Sequence, residues 1–271
     1  MPGPIRFTSS QAPNADRYVR AILNHLAERL SLPIEWVDDG DWLARERDFD
    51  AGRIHMAWVC GLPYVWKADD SAIDVELLAA PVLAAPRYRS QPIYFSDVIV
   101  RHDSPYQSFE DLRGASWAIN EPRSHSGYNI TRHHLATLGH HGPFFSRVRQ
   151  AGAHEIAIRL VARGRVDASA IDSSVLETEY HLHPDLHTEL RLIAALGPSP
   201  IPPWVVHRSL DAGTRAALRQ ALLSLHTHPA GRALLAEGAL SHFSPVTDAD
   251  YDPIRQMERQ AAPVTLARDF R

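Results

Sequence analysis

Short apolar runs alternate along the chain with longer stretches whose apolar positions recur every three or four residues, the signature of strands alternating with amphipathic helices. Ile5 to Thr8 reads as a strand, and Ala15 to Leu30 as a helix with Val19, Ile22, Leu23, Leu26 and Leu30 along one face. Ile34 to Val37 is the next strand, which makes a βαβ unit. A second helix is predicted from Trp42 to Ala51, closed by Gly52, whose missing Cβ permits a left-handed turn. Ile54 to Val59 is nearly all apolar, as in a strand covered on both faces, and Cys60, Gly61 and Leu62 lead into a short helical stretch near Tyr64. Strands follow at Val75 to Leu83 and Ile93 to Val100.

The same design then starts again. Ser108 is the predicted N-cap of a short helix ending at Gly114, Trp117 to Asn120 is a strand, and Ser126 or Gly127 begins a helix that runs to Leu138. Phe145 to Arg149 and Asp167 to Ile171 are strands on either side of a helix from His154 to Arg163, which Gly164 ends. After a helix beginning near Ser173, Leu190 to Leu196 carries the chain back, the stretch GPSPIPP follows, and Trp204 to His207 is one further strand. Helices at Ala212 to Leu225, Pro229 to Glu237 and Asp250 to Gln260 are expected on the first lobe or on the neck.

This alternation predicts an α/β protein with mainly parallel sheets in two Rossmann-like lobes. The first lobe is residues 1–98 with 199–271 and the second is 99–198, joined by two crossing strands near 99–103 and 193–200. A cleft between such lobes gathers strand ends and helix N-termini, so it is the predicted place for a ligand.

Charge narrows the ligand. With 28 Lys plus Arg against 32 Asp plus Glu, the net charge is −4, which supplies no overall field for nucleic acid or an anionic membrane. An anion would have to be caught by a local site, so a small ligand is expected. Cys60 is the single cysteine, so no internal disulfide can form. The first residues, MPGPIRFTSS, show no basic segment followed by an apolar stretch, and no apolar run reaches the roughly 18 residues of a spanning helix. Sixteen His include His133 with His134 and His140 with His141, but adjacent His on a helix diverge by about 100° and no zinc-type spacing accompanies them. They read as solvated surface residues, and neither a metal nor a cofactor is expected.

The densest chemistry lies between the strand ending near Asn120 and the long helix after it, in the run Glu121, Pro122, Arg123, Ser124, His125, Ser126, Gly127, Tyr128. Amides at a helix start lack intrahelical acceptors and sit at the positive end of the helix dipole, which favours an oxyanion. Ser124 and Ser126 could add hydroxyl donors; equally, either could simply cap the helix. His154, followed by Glu155, stands at a second strand-to-helix junction one βα unit later, on the same sheet edge, either as a donor to the anion or as a surface cap. Asp172, with Ser173 and Ser174, stands at a third junction. A carboxylate there suits a ligand bearing an amine or hydroxyl, and helix capping explains it equally well.

The runs YFSDVIVRHDSPYQSFEDLRG, SWAINEPRSHSGYN and AGAHEIAIRLVARGRVDASAIDSSVLE, with GRIHMAWVCGLPYVW before them, resemble the phosphonate and phosphate class of ABC transporter substrate-binding proteins in motif identity, order and spacing. The resemblance extends roughly from Ile5 to Met257. It implies a type II periplasmic-binding-protein architecture, a small phosphorus oxyanion as ligand, an ABC permease as partner, closure about the hinge, and a monomer. It further implies that Ser124, His125, Ser126 and Gly127, together with His154, hold the oxyanion. Tyr94 would reach in from the first lobe, Tyr64 would line the cleft, and Ser9 with Ser10 matches the turn after the first strand. Aminoalkyl-binding members carry carboxylates near the helix that here begins Asp172, Ser173, Ser174, so this chain departs from them. The family works in the periplasm, which requires a removed leader; without one the chain is cytoplasmic.

Two other readings use the same scaffold: a cytosolic enzyme and a ligand sensor. Ser126, His154 and Asp172 can be written as a hydrolytic triad, but no GxSxG elbow accompanies them, and a serine in a loop that presents amides to an anion reads as a binding residue.

Overall fold

The computed structural model describes residues 3–268. Its strands are β1 (Ile5–Ser9), β2 (Ile34–Trp36), β3 (Met56–Trp58), β4 (Val75–Leu83), β5 (Ile93–Arg101), β6 (Ser116–Ile119), β7 (Arg147–Gln150), β8 (Ala168–Asp172), β9 (Leu190–Pro200), β10 (Trp204–His207) and β11 (Leu240–Ser244). The helices are α1 (Asp16–Leu30), α2 (Trp42–Asp50), α3 (Gly61–Asp69), α4 (Ile130–Thr137), α5 (His154–Ala162), α6 (Ser173–Leu182), α7 (Leu186–Glu189), α8 (Ala212–Leu223), α9 (Pro229–Glu237) and α10 (Asp252–Ala261). Asp41, Asp172 and Asp211 start α2, α6 and α8 by accepting from amides of the first turn, at Ala44, Ser174 and Thr214.

The chain groups into two compact units. The first runs through Ile93 and resumes over Pro200–Asp252; the second is Tyr94–Ser199 and continues from Pro253. The first unit holds a six-stranded sheet in the order β11-β4-β10-β3-β1-β2, packed around Phe7, Trp58, Trp204 and Phe243. The second holds a five-stranded sheet in the order β7-β6-β8-β5-β9, with Phe109, Trp117, Phe144 and Phe145 at its centre. Trp117 and Phe145 stack at 4.6 Å between ring centroids.

Three features differ from the sequence reading. The sheets are mixed rather than mainly parallel: β1 is parallel to β2 and β3, and β6 to β7 and β8, but β10 is antiparallel to β3 and β4, and β5 to β8. Helical crossovers enforce parallel pairing, whereas β5 and β10 enter their sheets directly from the other unit. The short helix expected after Ser108 is a single 3-10 turn at Glu110–Leu112. Finally, residues 253–268 belong to the second unit, not to the first lobe. Val264 and Leu266 are buried in the second core, the amides of Phe144 and Phe145 both donate to Leu266 O at 2.9 Å, and Arg132 Nε donates to Val264 O at 3.1 Å.

Candidate functional site

Two βα junctions of the second sheet are tied together by their backbones. Strands β6 and β7 are parallel neighbours in register from Ser116↔Arg147 to Ile119↔Gln150, so their C-terminal ends lie side by side. Beyond those ends, the amides of Ala151 and Gly152 donate to Ile119 O and Asn120 O, each at 2.7 Å. Gly152 makes this possible with φ of 86°, a left-handed conformation that side chains resist.

After β6 the chain does not enter α4 at once. His125–Asn129 forms a wide π-type turn, closed by a bond from Asn129 N to Ser124 O at 3.0 Å. Ser124 caps it, with Oγ accepting from Gly127 N at 3.1 Å. Of the two serines, Ser124 is therefore the cap, and Ser126 is left for other work. Gly127 is dictated by packing: a Cβ there would lie 2.0 Å from Asn120 Oδ1.

Ser126 Oγ lies 3.0 Å from His154 Nε2, joining the first junction to the first residue of α5. Both side chains are buried, and burial pushes the His154 pKa down to about 4, so the ring is neutral near pH 7. Its Nδ1 has no hydrogen-bond partner among the described residues. A ring proton on Nδ1 would leave a buried N–H without an acceptor, the costlier orphan, so the geometry favours the proton on Nε2, donated to Ser126 Oγ. The Ser126 hydroxyl hydrogen is then directed elsewhere. Together with the first-turn amides around His125 and Ser126, it presents a set of uncharged donors suited to an oxyanion.

Asp172, at the end of β8, caps α6: its Oδ1 accepts from Ser174 N at 2.9 Å and Ser174 Oγ at 2.6 Å. Burial raises its pKa to about 6 against those bonds. A catalytic triad would place a carboxylate on His154 Nδ1, and Asp172 does not bond there.

A family model described as "ABC transporter, phosphonate, periplasmic substrate-binding protein" matches residues 6–251 of the chain. The chain belongs to that family. Among solved structures, this phosphonate-type binding protein is similar in fold to a binding-protein component of an ABC phosphonate transporter from Pseudomonas aeruginosa, at 20% identity, over 96% of this chain and 87% of the other, with a TM-score of 0.82. It is similar to PhnD1 from Prochlorococcus marinus in complex with methylphosphonate, at 17% identity, over 97% and 100%, with a TM-score of 0.81. A Xanthomonas citri protein bound to ATP matches at 15% identity, over 96% and 98%, with a TM-score of 0.72. These likenesses bear out the type II periplasmic-binding-protein fold.

The phosphonate-type protein gathers some of the residues singled out in its sequence and disperses others. Ser124, Ser126, Gly127 and His154 come together. His125 sits in the same turn, but its ring bonds internally, with Nε2 at 2.9 Å from Ser199 Oγ. Tyr94 belongs to the second unit rather than the first lobe, with its ring 6.4 Å from that of His125. Tyr64 lies in the first unit on α3, where its hydroxyl donates to Asp248 Oδ1 at 2.8 Å and it borders a cavity of about 460 Å³. Ser9 and Ser10 border a smaller first-unit cavity of about 20 Å³, room for roughly one water. Ser9 Oγ accepts from Gln11 N, and Ser10 Oγ bonds to Trp58 O at 3.3 Å. Asn120, Asn129 and Ser199 escaped the sequence reading. Asn120 could have been inferred from the glycine it forces at 127, whereas Ser199 was hidden in the proline-rich GPSPIPP stretch.

Proposed function

We propose that this protein captures a small phosphorus oxyanion, phosphate or a phosphonate, at the turn Ser124–Gly127 and His154, and hands it to an ABC permease. The Ser126–His154 contact carries the reading, because it brings the hydroxyl and the amides of two adjacent helix starts to one place. The donors are neutral, so the ligand is held by fixed dipoles in a water-poor setting, where each bond to a charged oxygen contributes about 1.5 to 3 kcal/mol. Four such bonds amount to roughly 6 to 12 kcal/mol before ordering costs, enough for micromolar binding.

The protein works by binding alone, as a periplasmic monomer. A Ser126 whose oxygen accepts from His154 has no general base, which supports a binding role over hydrolysis. No helix among the described residues is long and apolar enough to cross a membrane, in keeping with a partner that supplies the membrane passage.

Calorimetry with phosphate, phosphite, methylphosphonate and ATP tests the proposal, ATP being included for the fold relative that binds it. Stoichiometric heat with at least one small oxyanion, and the same compound recovered intact by phosphorus NMR, is the expected result. No heat with any of them, or a new phosphorus resonance, would overturn it.

A further inference from the structure

His125 lies inside the oxyanion turn, yet its ring is committed elsewhere. It is fully buried, with Nδ1 at 3.2 Å from Asn129 Nδ2 and Nε2 at 2.9 Å from Ser199 Oγ. An amide NH2 group only donates, so Nδ1 accepts from Asn129 and the ring proton on Nε2 is donated to Ser199. Burial pushes the His125 pKa down to about 3, which keeps Nδ1 free to accept.

Both partners hold closely packed positions. Asn129 closes the π-type turn through its own amide, and it is buried. Ser199 is buried too, and it is the last residue of the second unit before the chain crosses to Pro200. Two residues earlier Gly197 has φ of 117°, and a Cβ there would lie 3.1 Å from Ser199 N and 3.4 Å from Tyr94 O. The backbone at the end of β9 is thus held close against the start of β5.

We propose that the His125 ring is a positioning group: it latches the oxyanion turn, through Asn129 and Ser199, to the end of β9, and the ring itself donates nothing to the ligand. The effect on affinity rests on the binding role proposed above, whereas the latch itself does not. Ser199 becomes a determinant of ligand affinity without touching the ligand.

The test uses the full chain with Ser199→Ala, His125→Phe and both together. Amide exchange at Gly127 and Asn129 is measured without ligand, and affinity for methylphosphonate and phosphate by calorimetry. Ser199→Ala should speed exchange at both amides by about ten-fold and weaken binding by a similar factor, and the double variant should be no worse than His125→Phe alone. Wild-type exchange in Ser199→Ala, or effects of the two substitutions that simply add, would overturn the latch. If His125→Phe does not fold, Ser199→Ala decides through exchange. If the wild type binds neither probe, the binding role fails while exchange still decides the latch.

Discussion

Two buried polar clusters, one in each unit, treat charge in opposite ways. In the first, Lys67, the only lysine of the chain, is almost wholly buried on α3, with Nζ 3.1 Å from Glu46 Oε1 and 2.5 Å from Asp50 Oδ1, both on α2. In the second, the turn at Ser124–Gly127 is equally buried, but its polar groups are hydroxyls and amides, set beside neutral imidazoles. A full charge is expensive to bury unless it is paired, and once paired it is no longer available to a ligand. On the binding role proposed above, the Lys67 cluster uses charge for architecture, and the turn of the second unit leaves preorganised dipoles to recognise the anion.

The largest effect should come from filling the dipole site. Ser126→Leu removes the hydroxyl and blocks the amides beside it, so binding should fall by at least about a thousand-fold, roughly 4 kcal/mol. The buried His154 N–H loses its acceptor as well, so the unfolding midpoint should fall, and circular dichroism at the assay temperature checks that the variant is folded. Retained binding, measured by calorimetry, would place the ligand elsewhere.

Removing the first unit's cation should lower stability alone. Lys67→Met strands two carboxylates, of which Asp50 is 28% exposed and Glu46 only 11%, so the loss should be roughly 2 to 3 kcal/mol of stability, at the lower end for a broken buried pair. Affinity should remain near the wild-type value. Denaturant unfolding of Lys67→Met beside Lys67→Met/Glu46→Gln/Asp50→Asn checks the cause, because neutralising the stranded acids should recover most of the loss.

Much of the fold was legible in the sequence, but unevenly, and the buried Lys67 cluster was not. The bounds of β4 and α9 and the starts of α2 and α5 follow from apolar period and capping residues, and those rules also placed Ser126 and His154 at neighbouring junctions. Strand β11 was missed because it is a sheet edge in which only Leu240 and Phe243 are buried, too few to show a period. Where the residues after Pro253 pack depends on a fit of Val264 and Leu266 into a core built more than a hundred residues earlier, which no local pattern encodes. The roles of His125 and Tyr64 fall in the same class. A motif gives the residue type, and only tertiary packing says which neighbour its ring or hydroxyl meets.

Titration of the second unit sharpens the comparison at a smaller scale. His125 and His154 are depressed to about 3 and about 4 from 6.5, so they stabilise the fold above pH 6.5 and that contribution is lost as pH falls. Asp172 is raised to about 6 from 3.8, so its contribution is present below pH 3.8 and lost as pH rises through 6. Between pH 4 and 6 the unfolded chain therefore binds two histidine protons where the folded chain binds one aspartic proton. These three groups make stability rise with pH by the equivalent of one proton, roughly 1 to 1.5 kcal/mol per unit. Asp172→Asn, which preserves a capping side chain, should steepen the measured slope by one further proton; an unchanged slope would remove Asp172 from the buried set.

The smallest effect is expected from salt, and it bears most directly on the kind of donor. Screening weakens attraction between full charges, and its range shrinks from about 10 Å at 0.1 M to about 3 Å at 1 M. Hydrogen bonds from buried neutral groups at contact distance lie inside that range and do not depend on an ion atmosphere. Raising the concentration of an inert salt over that interval should therefore weaken phosphate or phosphonate binding by less than about three-fold. A site built on guanidinium or ammonium charge would respond far more steeply. Arg123 is the cation nearest in sequence to the turn, so a loss of ten-fold or more that Arg123→Gln abolishes would show that the anion is drawn by a full charge after all, and the contrast between the units would fail at its second half.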